Sequence, residues 1–455
     1  MFCTNCGTQT AENANFCINC GTAIVGNPSK AANFTKPPNV AAPPTANFHL
    51  GNTIMQMHNK RVRFIDNSGD IWEVNLETNS QERITQGSNF ISLFFLPFAM
   101  DNQNNLWDLR SVPKIVISDL RDLWEGTGFR HRYVNNANEF RLFELLSRGD
   151  TTLIKDSVSS ISFIHRGGNV VFATDTNGAF SQINLAGDSI NIPINGEVER
   201  GIVHNELGFL ITNNENLLWA WENSQQSATI SPFIIMKNVV DVQFVRTPTK
   251  EGSIPATVLA LTADGSLYAV FENGEFITPA LVMKNVRSFT TLHGSVFAIT
   301  NKNVLYAWGY NGAGQLGDGT TSSRNTPAKI LENVASVTPA LEYFNGGMIR
   351  NTYAITTNGK LWAWGNNRLG QIGDGTTTNH LSPVFVMDNV AYIRPSIGSF
   401  GGFAALAILK NGELWSWREN PNNITNTRLS PAFLAHNARM PHGFDFIRWL
   451  DTQIF

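Results

Sequence analysis

The sequence predicts an all-β repeat fold, a β-propeller, from three observations. A Trp-rich unit recurs along the chain, with its two clearest copies at residues 305–320 and 361–376. A polar turn such as Asn358-Gly359 stands between two short apolar runs in each unit. An apolar run that begins with Pro then follows. A unit that recurs at roughly 40 to 55 residues is typical of propellers and solenoids.

The turn and the Trp-rich run together predict a β-hairpin in each unit. Gly and Asn tolerate the positive φ that a tight hairpin turn requires. Side chains alternate between the two faces of a strand. Leu361 and Ala363 should therefore face one neighbouring blade, and Trp362 and Trp364 the other. We expect core packing for at least one Trp of each pair, against the alternative of a carbohydrate platform, in Trp219/Trp221, Trp362/Trp364 and Trp415/Trp417.

The Pro-led run predicts the outermost strand of each blade. Its fullest copy spans residues 382–390 and ends in Asn389-Val390. Pro is tolerated in sheets at the start of a strand or on an edge strand. The Asn-Val pair should lead into the innermost strand of the next blade. Further copies begin at Ser231, Thr278 and Thr326, with a fainter match from Val112.

The N-terminal half carries only degenerate matches to this unit. Hairpin-like turns occur at residues 66–72, 101–107, 135–143 and 176–180, which brings the count to as many as nine units after Asn47. Residues 90–100 (FISLFFLPFAM) are too short to span a membrane and are expected to form a blade strand buried on both faces. Residues 139–147 fit either a helical turn or a pair of strands. The aromatic segment 443–455 is a candidate for closing the ring.

Two segments carry a resemblance to a known family. Residues 306–319 and 362–375 follow the pattern W-G-x-N-x-x-G-Q-L-G closely, and the chain resembles the regulator of chromosome condensation repeat family. The resemblance is strong over about 210–435 and weak over 47–200. It implies a closed propeller, usually of seven four-stranded blades. Because propellers typically have four to eight blades, we expect seven over residues 48–455, with eight as the fallback.

The four cysteines lie in the first 20 residues as two Cys-x2-Cys pairs, each followed by Gly-Thr. Two such pairs can supply four thiolates to one tetrahedral Zn²⁺. Two disulfides or a pair of redox sites are the alternatives, and the lack of a secretory signal disfavours disulfides. Residues 1–22 resemble the zinc-ribbon module at the N-terminus of many bacterial proteins. We expect one structural zinc ion, held by Cys3, Cys6, Cys17 and Cys20.

Residues 23–47 hold five prolines among Ala, Asn, Thr and Ser, which predicts a flexible linker between the ribbon and the propeller. Composition excludes several other classes of protein. Net charge is −3 and charged residues are only 15%, with no polybasic run, so nucleic-acid binding is not expected. No apolar stretch is long enough to span a membrane. We therefore expect a monomer in the cytoplasm.

The Gly-rich stretches 314–319 and 370–375 are similar in composition to phosphate-binding loops. No Lys-Ser/Thr follows either one, and the stretch recurs as part of the repeat, so Gln315, Asp318 and their counterparts should instead bond turn backbone. Calcium binding is not indicated, because one carboxylate per loop makes a poor cage.

Variable turns on a constant scaffold are where repeat proteins bind their partners. We favour a non-catalytic scaffold that binds a protein partner through such turns. Guanine-nucleotide exchange on a small GTPase, implied by the resemblance, would need a protruding loop wedge. An enzyme or glycan-binding protein would need carboxylates and His at the central axis. The contact candidates are Tyr310, Arg324, Arg368, His380 and Arg418.

Overall fold

The computed structural model confirms an all-β propeller with four-stranded blades. The chain divides into two units, residues 1–45 and 46–455, and the described residues all belong to the second. The zinc-ribbon sequence and the Pro-rich segment therefore lie outside them. The structure describes residues 55–58, 61–75, 78, 80–87, 90–93, 98–103, 105–109, 113–118, 120–124, 130–144, 151–164, 170–204, 207–222, 230–245, 257–272, 275–344, 347–395, 403–419 and 428–438.

The described residues form nine blades, so the expectation of seven or eight was wrong. Each blade is a meander of four consecutive antiparallel strands. The degenerate turns of the N-terminal half are genuine hairpins, because each one joins two strands that pair antiparallel.

The strands of blades 1 to 3 are β1 (Met55–His58), β2 (Arg61–Ile65), β3 (Ile71–Asn75), β4 (Gln81–Arg83), β5 (Phe90–Leu93), β6 (Phe98–Asp101), β7 (Leu106–Asp108), β8 (Lys114–Ile117), β9 (Leu120–Trp124), β10 (Arg130–Asn135), β11 (Phe140–Glu144) and β12 (Thr151–Lys155). One expectation was imprecise here, because residues 90–100 contribute to two strands, β5 and β6, rather than to one. Residues 140–144 form a strand, which agrees with the strand alternative for residues 139–147.

The strands of blades 4 to 6 are β13 (Val158–Ile164), β14 (Val170–Asp175), β15 (Phe180–Asn184), β16 (Ser189–Asn191), β17 (Val198–His204), β18 (Leu207–Thr212), β19 (Leu217–Glu222), β20 (Phe233–Met236), β21 (Val239–Val245), β22 (Thr257–Thr262), β23 (Leu267–Glu272) and β24 (Glu275–Met283). Those of blades 7 to 9 are β25 (Val286–Leu292), β26 (Ser295–Thr300), β27 (Leu305–Gly309), β28 (Arg324–Leu331), β29 (Val334–Phe344), β30 (Gly347–Thr356), β31 (Leu361–Gly365), β32 (His380–Met387), β33 (Val390–Pro395), β34 (Phe403–Leu409), β35 (Leu414–Glu419) and β36 (Arg428–Ala435).

The Pro-led run forms the outer strand of its blade, as predicted, in β20, β24, β28 and β32. The Asn that follows adopts a left-handed backbone conformation, with φ of 60° at Asn285 and 58° at Asn333. Asn tolerates this region better than other residues with a side chain. The next residue, Val286 or Val334, is buried and opens the innermost strand of the following blade. The Asn-Val pair is thus the hinge between blades.

A repeated backbone bond ties each hinge to the preceding blade. The N–H of Val286 donates to Gly265 O at 2.8 Å, and the N–H of Val390 donates to Gly359 O at 2.8 Å. The accepting residue belongs to the tight turn between the second and third strands. Each innermost strand therefore starts at a position fixed by the previous blade.

The ring closes with the same bond. Ala438 N–H donates to Gly412 O at 2.9 Å, and Asn437 O accepts from Asn67 N–H at 3.1 Å. Ala438 also forms a bridge with Asp66, at the position that Val286 takes opposite Thr300 in blade 7. The innermost strand of blade 1 is thus composite: its first position comes from Ala438 and the rest from β1. The proposed closing tail, residues 443–455, lies outside the described residues.

The core consists of separate apolar layers between neighbouring blades. Leu361 and Ala363 pack toward blade 9, in a cluster with Trp417, whereas Trp364 packs toward blade 7 with Leu316. This confirms the predicted alternation of faces. Trp221, Trp364 and Trp417 are fully buried, so one Trp of each pair is a core residue, as expected. No helix in the described part of the chain has the length and hydrophobicity that crossing a bilayer requires.

Candidate functional site

The antiparallel order of the strands gives each blade two ends with different connections. At one end the first strand turns into the second and the third strand passes to the fourth. We call this the loop end; in blades 7 and 8 it comprises residues 292–295, 309–324, 348–353 and 365–381. The other end, with the tight turns and the hinges, is the turn end. Cross-strand register aligns Ser295, Gly309 and Arg324 at the loop end of blade 7.

The sequence-predicted contact residues lie at this one end. Tyr310 directly follows β27, and Arg324 and His380 open β28 and β32. Arg368 is exposed on the loop after β31. Arg418, in β35, is paired with Ala404 and Arg428 in register, and its side chain lies outside the described part of the structure. The zinc ligands Cys3, Cys6, Cys17 and Cys20 also lie outside it.

A fully buried Asn fixes each long loop from within. Asn311 Nδ2 donates to Asp318 Oδ1 at 3.1 Å and to Thr320 O at 3.0 Å, while its Oδ1 accepts from Leu316 N–H at 3.0 Å. Gln315 Oε1 accepts from Ala313 N–H at 2.9 Å. The Gln and Asp of the repeat therefore bond turn backbone and neighbouring side chains, which agrees with the sequence prediction.

The same loop recurs in blade 8 with Asn367 as its buried centre. Asn367 Nδ2 donates to Asp374 Oδ1 at 3.2 Å and to Thr376 O at 3.0 Å. Each loop is also anchored on the next blade: Gly319 N–H donates to Leu381 O, and Gly375 N–H to Leu429 O. In blades 7 and 8 the loops between the third and fourth strands are thus bound down onto the next blade.

Two buried Trp residues complete this anchoring. Trp364 Nε1 donates to Gln315 O at 2.8 Å, from blade 8 to the loop of blade 7. Trp417 Nε1 donates to Gln371 O at 2.7 Å, from blade 9 to the loop of blade 8. The loop end is therefore a rigid platform on which the variable side chains are displayed.

Two of those side chains pair with the carboxylate of their own loop. Arg324 Nη1 lies 3.2 Å from Asp318 Oδ2, and His380 Nε2 lies 2.6 Å from Asp374 Oδ2. Burial by itself would raise the pKa of Asp374, but hydrogen bonds from Thr376 and His380 outweigh it and lower that pKa below its ordinary value. The pKa of Asp318 is lowered in the same way, by Thr320, Arg324 and Asn311.

The lowered pKa of Asp374 predicts a pH dependence of stability. Its contribution is complete above the ordinary Asp value of 3.8 and is lost as the pH falls through the folded-state pKa. Asp374→Asn should lower the free energy of unfolding near neutral pH by about 1.5 to 3 kcal/mol, the value of hydrogen bonds to charged groups. The difference from the parent protein should shrink below about pH 4. Urea unfolding at several pH values measures it.

Asp388→Asn is the matched control, because Asp388 lies in an exposed turn at the opposite end of the same blade. It should leave the free energy of unfolding near neutral pH close to that of the parent protein. A destabilisation by Asp374→Asn that is equally large in acid would contradict the assignment.

The structure adds two residues that sequence reasoning missed. The guanidinium carbon of Arg350 lies 4.8 Å from the centre of the Tyr310 ring, and Arg350 Nη2 lies 3.2 Å from His293 Nδ1. Arg350 comes from blade 8, while His293 and Tyr310 come from blade 7. No local motif signals this meeting, because it depends on how neighbouring blades align.

A shallow cleft between blades 7 and 8 adjoins these three residues. Its lining includes His293, Ser295, Gln315, Arg350 and Asn351. It has room for about one water molecule, which is too little for a small-molecule substrate. Among the described residues, no three His, Cys, Asp or Glu side chains come close enough together to hold a metal ion. The loop end of blades 7 and 8 can therefore contact the surface of a larger molecule.

Near the central axis, the described residues form a structural ion-pair network. Arg200 Nη1 in β17 lies 2.7 Å from Asp241 Oδ1 in β21. Gln243 Nε2 donates to Asp241 Oδ2 and to Phe289 O of blade 7, both at 3.0 Å. These contacts link the innermost strands of blades 5, 6 and 7. The carboxylate in this network is that of Asp241, and it is paired with Arg200.

Comparison with known families identifies the repeats and the N-terminal segment. The zinc-ribbon domain matches residues 2–24. The regulator of chromosome condensation (RCC1) repeat matches residues 302–339 and 358–397. Each match covers the third and fourth strands of one blade, 7 or 8, and runs into the first strand of the next blade. The chain thus contains RCC1 repeats and a zinc-ribbon sequence, as the motifs predicted.

Several characterised proteins share part of this sequence. The E3 ubiquitin-protein ligase HERC2 of Mus musculus is 28% identical over 169 residues, which is 35% of this chain and 3% of HERC2. The mitochondrial RCC1 domain-containing protein RUG3 of Arabidopsis thaliana is 30% identical, over 28% of each chain. The ultraviolet-B receptor UVR8 of Arabidopsis thaliana is 31% identical, over 28% of this chain and 27% of its own. The chain therefore spans less than a third of these relatives.

Solved structures with a similar fold include yeast RCC1 (Prp20) bound to Kap60 and human WBSCR16. The first aligns at 15% identity with a TM-score of 0.38, covering 71% of this chain and 78% of the other. The second aligns at 15% identity with a TM-score of 0.39, covering 72% and 85%.

Proposed function

We propose that this protein with RCC1 repeats is a non-catalytic scaffold that binds a protein partner at the loop end of blades 7 and 8. The observation that carries the proposal is the combination of rigid loops and varied side chains. The loops are fixed by Asn311 and Asn367, both fully buried, while Tyr310, Arg324, Arg368 and His380 differ in kind at the same end. Preorganised side chains lower the entropic cost of binding.

The proposal includes the N-terminal cysteines. Four thiolates in two Cys-x2-Cys pairs form a donor set that suits Zn²⁺, and we propose that Cys3, Cys6, Cys17 and Cys20 hold one structural ion. The ribbon of residues 1–22 would be tethered through residues 23–47 to a propeller over 48–455, in a monomer acting in the cytoplasm. The zinc would stabilise a segment too short to build its own apolar core.

Metal analysis of the purified chain tests the zinc assignment. We expect about one zinc per chain, and none after Cys3→Ser/Cys6→Ser or after dialysis against a strong chelator. The propeller should keep its thermal unfolding transition in both cases. A full zinc complement in the Cys variant would contradict the ligand assignment.

Guanine-nucleotide exchange on a small GTPase is the second candidate, because some proteins of the RCC1 repeat family have this activity. It differs from a pure scaffold in one measurable respect, since an exchange factor speeds nucleotide release from its partner. In blade 8 the β29–β30 hairpin continues past its last pair with β31, at Asn351, to the Phe344–Gly347 pair, and this protruding hairpin fits the wedge that exchange is expected to need.

Affinity capture from native lysate tests the proposed function. The full chain is compared with Tyr310→Ala/Arg368→Ala at the loop end and with Lys302→Ala/Lys360→Ala at the turn end. One protein recovered in stoichiometric amount by the parent and the turn-end variant, and lost from the loop-end variant, would support the proposal. No specific protein in any lane, or equal recovery by all three chains, would contradict it. A captured GTPase whose nucleotide release the chain accelerates would favour exchange.

A further inference from the structure

The outer rim near the turn end carries a lysine in blade 7 and in blade 8. Lys329 in β28 forms an ion pair with Glu332. Lys360 Nζ lies 5.5 Å from the centre of the Phe385 ring in β32, within the range of a cation–π contact. Lys329 and Phe385 have the same register, because each lies opposite the second residue of the third strand of its blade. Both blades therefore place an ammonium group at the same part of the rim.

Blade 9 repeats this part of the rim with a different charge. Phe433 in β36 lies opposite the half-buried Trp415, in the register that Phe385 has in blade 8. Glu413 takes the position of Lys360, directly before the third strand of its blade. A carboxylate therefore stands where blade 8 has its own ammonium group.

Two acceptors on the rim of blade 9 are close enough to share one cation. Glu413 Oε2 accepts from Trp415 Nε1 at 3.1 Å, which fixes the carboxylate. Glu413 Oε1 lies 4.0 Å from His436 Nδ1, too far for a hydrogen bond between the two. An ammonium group has three donors, so one placed between these atoms can bond both when the ring proton of His436 is on Nε2. The centre of the His436 ring is 4.5 Å from that of Phe433, which brings an aromatic ring beside the two acceptors.

This group of side chains is accessible from solvent. The side chain of His436 is 67% exposed and that of Glu413 is 25% exposed, while Phe433 is 38% exposed. Lys410, the lysine nearest to Glu413 in sequence, lies beside Gly359 of blade 8. Among the described residues, no Lys or Arg forms an ion pair with Glu413, so an incoming cation would not have to displace one.

We infer that the rim of blade 9 binds a lysine side chain from a segment of a protein partner. The ammonium group donates to Glu413 Oε1 and His436 Nδ1 and lies against the Phe433 ring, in the arrangement that blade 8 builds from its own residues. Lysine fits better than arginine, because Trp415 already occupies one carboxylate oxygen and a guanidinium favours two parallel acceptors. This surface is separate from the loop end of blades 7 and 8, so the inference goes beyond the proposed function and does not depend on it.

Fluorescence anisotropy with the full chain tests the inference. The probe is a short labelled peptide of alternating Lys and Ser, compared with peptides in which each Lys is replaced by acetyl-lysine or by Arg. We expect the Lys peptide to bind best and to weaken as NaCl rises from about 50 to 300 mM, because salt screens exposed charges. Equal binding of the acetyl-lysine peptide would overturn the need for an ammonium group. Equal or tighter binding of the Arg peptide would overturn the assignment to lysine.

Substitutions then locate the site. Glu413→Gln should weaken binding of the Lys peptide about fivefold, because Gln keeps an acceptor for Trp415 Nε1 but loses the charge. Phe433→Leu should weaken it about threefold, the size of a cation–π contact at an exposed position. Asp388→Asn is the matched control, because it makes the same change in net charge at the exposed position of blade 8 that corresponds to His436. It should alter binding less than about 1.5-fold.

Two results of these substitutions would overturn the inference. One is binding like that of the parent by both Glu413→Gln and Phe433→Leu. The other is a loss with Asp388→Asn as large as the loss with Glu413→Gln, which would show that net charge and not this site governs binding. The proposed scaffold function would stand in either case, since none of these residues lies at the loop end.

Discussion

Trp417→Ala should lower the free energy of unfolding by about 3 to 5 kcal/mol, as large core aromatics do when truncated. Trp417 is fully buried between blades 8 and 9 and contacts the Tyr353 ring at 6.4 Å. Its Nε1 donates to Gln371 O at 2.7 Å, so the change also leaves a buried carbonyl with one donor fewer. Chemical denaturation measures the effect.

Trp415→Ala is the matched control, since Trp415 lies two residues away on the same strand. Its side chain is half-buried and packs edge-on against the exposed Phe433 ring. We expect less than half of the destabilisation caused by Trp417→Ala. Equal losses at the two positions would contradict the assignment of Trp417 as the link between blades.

A chain that ends at His436 should be less stable than one that ends at Ala438 by about 2 to 4 kcal/mol. The longer chain keeps Asn437 and Ala438, which make two backbone hydrogen bonds. Ala438 N–H donates to Gly412 O, and Asn437 O accepts from Asn67 N–H. Each such bond contributes about 1 kcal/mol. Ala438 is also 1% exposed, in the apolar layer between blades 9 and 1. Thermal unfolding of the two truncated chains measures the difference.

Both truncated chains lack residues 439–455, so any effect of that segment cancels in the comparison. Ala438→Pro in the full chain provides an independent check, because it removes one N–H donor and keeps the chain length. We expect it to fall between the parent and the shorter truncation. Equal stability of the two truncated chains would show that the ring does not depend on Asn437 and Ala438 for its closure.

Local chemistry in the sequence was sufficient to predict the blade itself. The alternation of Trp with smaller residues predicted which side chains lie on each face of β31. The Pro-led run predicted the outer strand of the blade. The Asn-Val pair gave the hinge, since Asn285 and Asn333 tolerate the positive φ that the hinge requires. These features depend on residues close together in sequence, where steric and hydrogen-bonding preferences act directly.

Features that depend on distant residues were not predicted. The blade number was wrong because the usual size of propellers was preferred to the count of nine units, which included the turn match at 135–143, where register confirms β10 and β11. Closure by Ala438 was missed because its pairing with Asp66 spans almost the whole propeller. The cluster of His293, Tyr310 and Arg350 joins two blades, and no spacing in the sequence encodes that contact.

Hydrogen–deuterium exchange of the chain with and without its captured partner tests the central claim most directly. Binding slows exchange of the amides that it covers or stabilises. The account predicts slower exchange within residues 309–324, 348–353 and 365–381, at the loop end of blades 7 and 8. Exchange at the turn end of the same blades, residues 301–304 and 357–360, should stay the same. Slower exchange confined to the turn end would contradict the account.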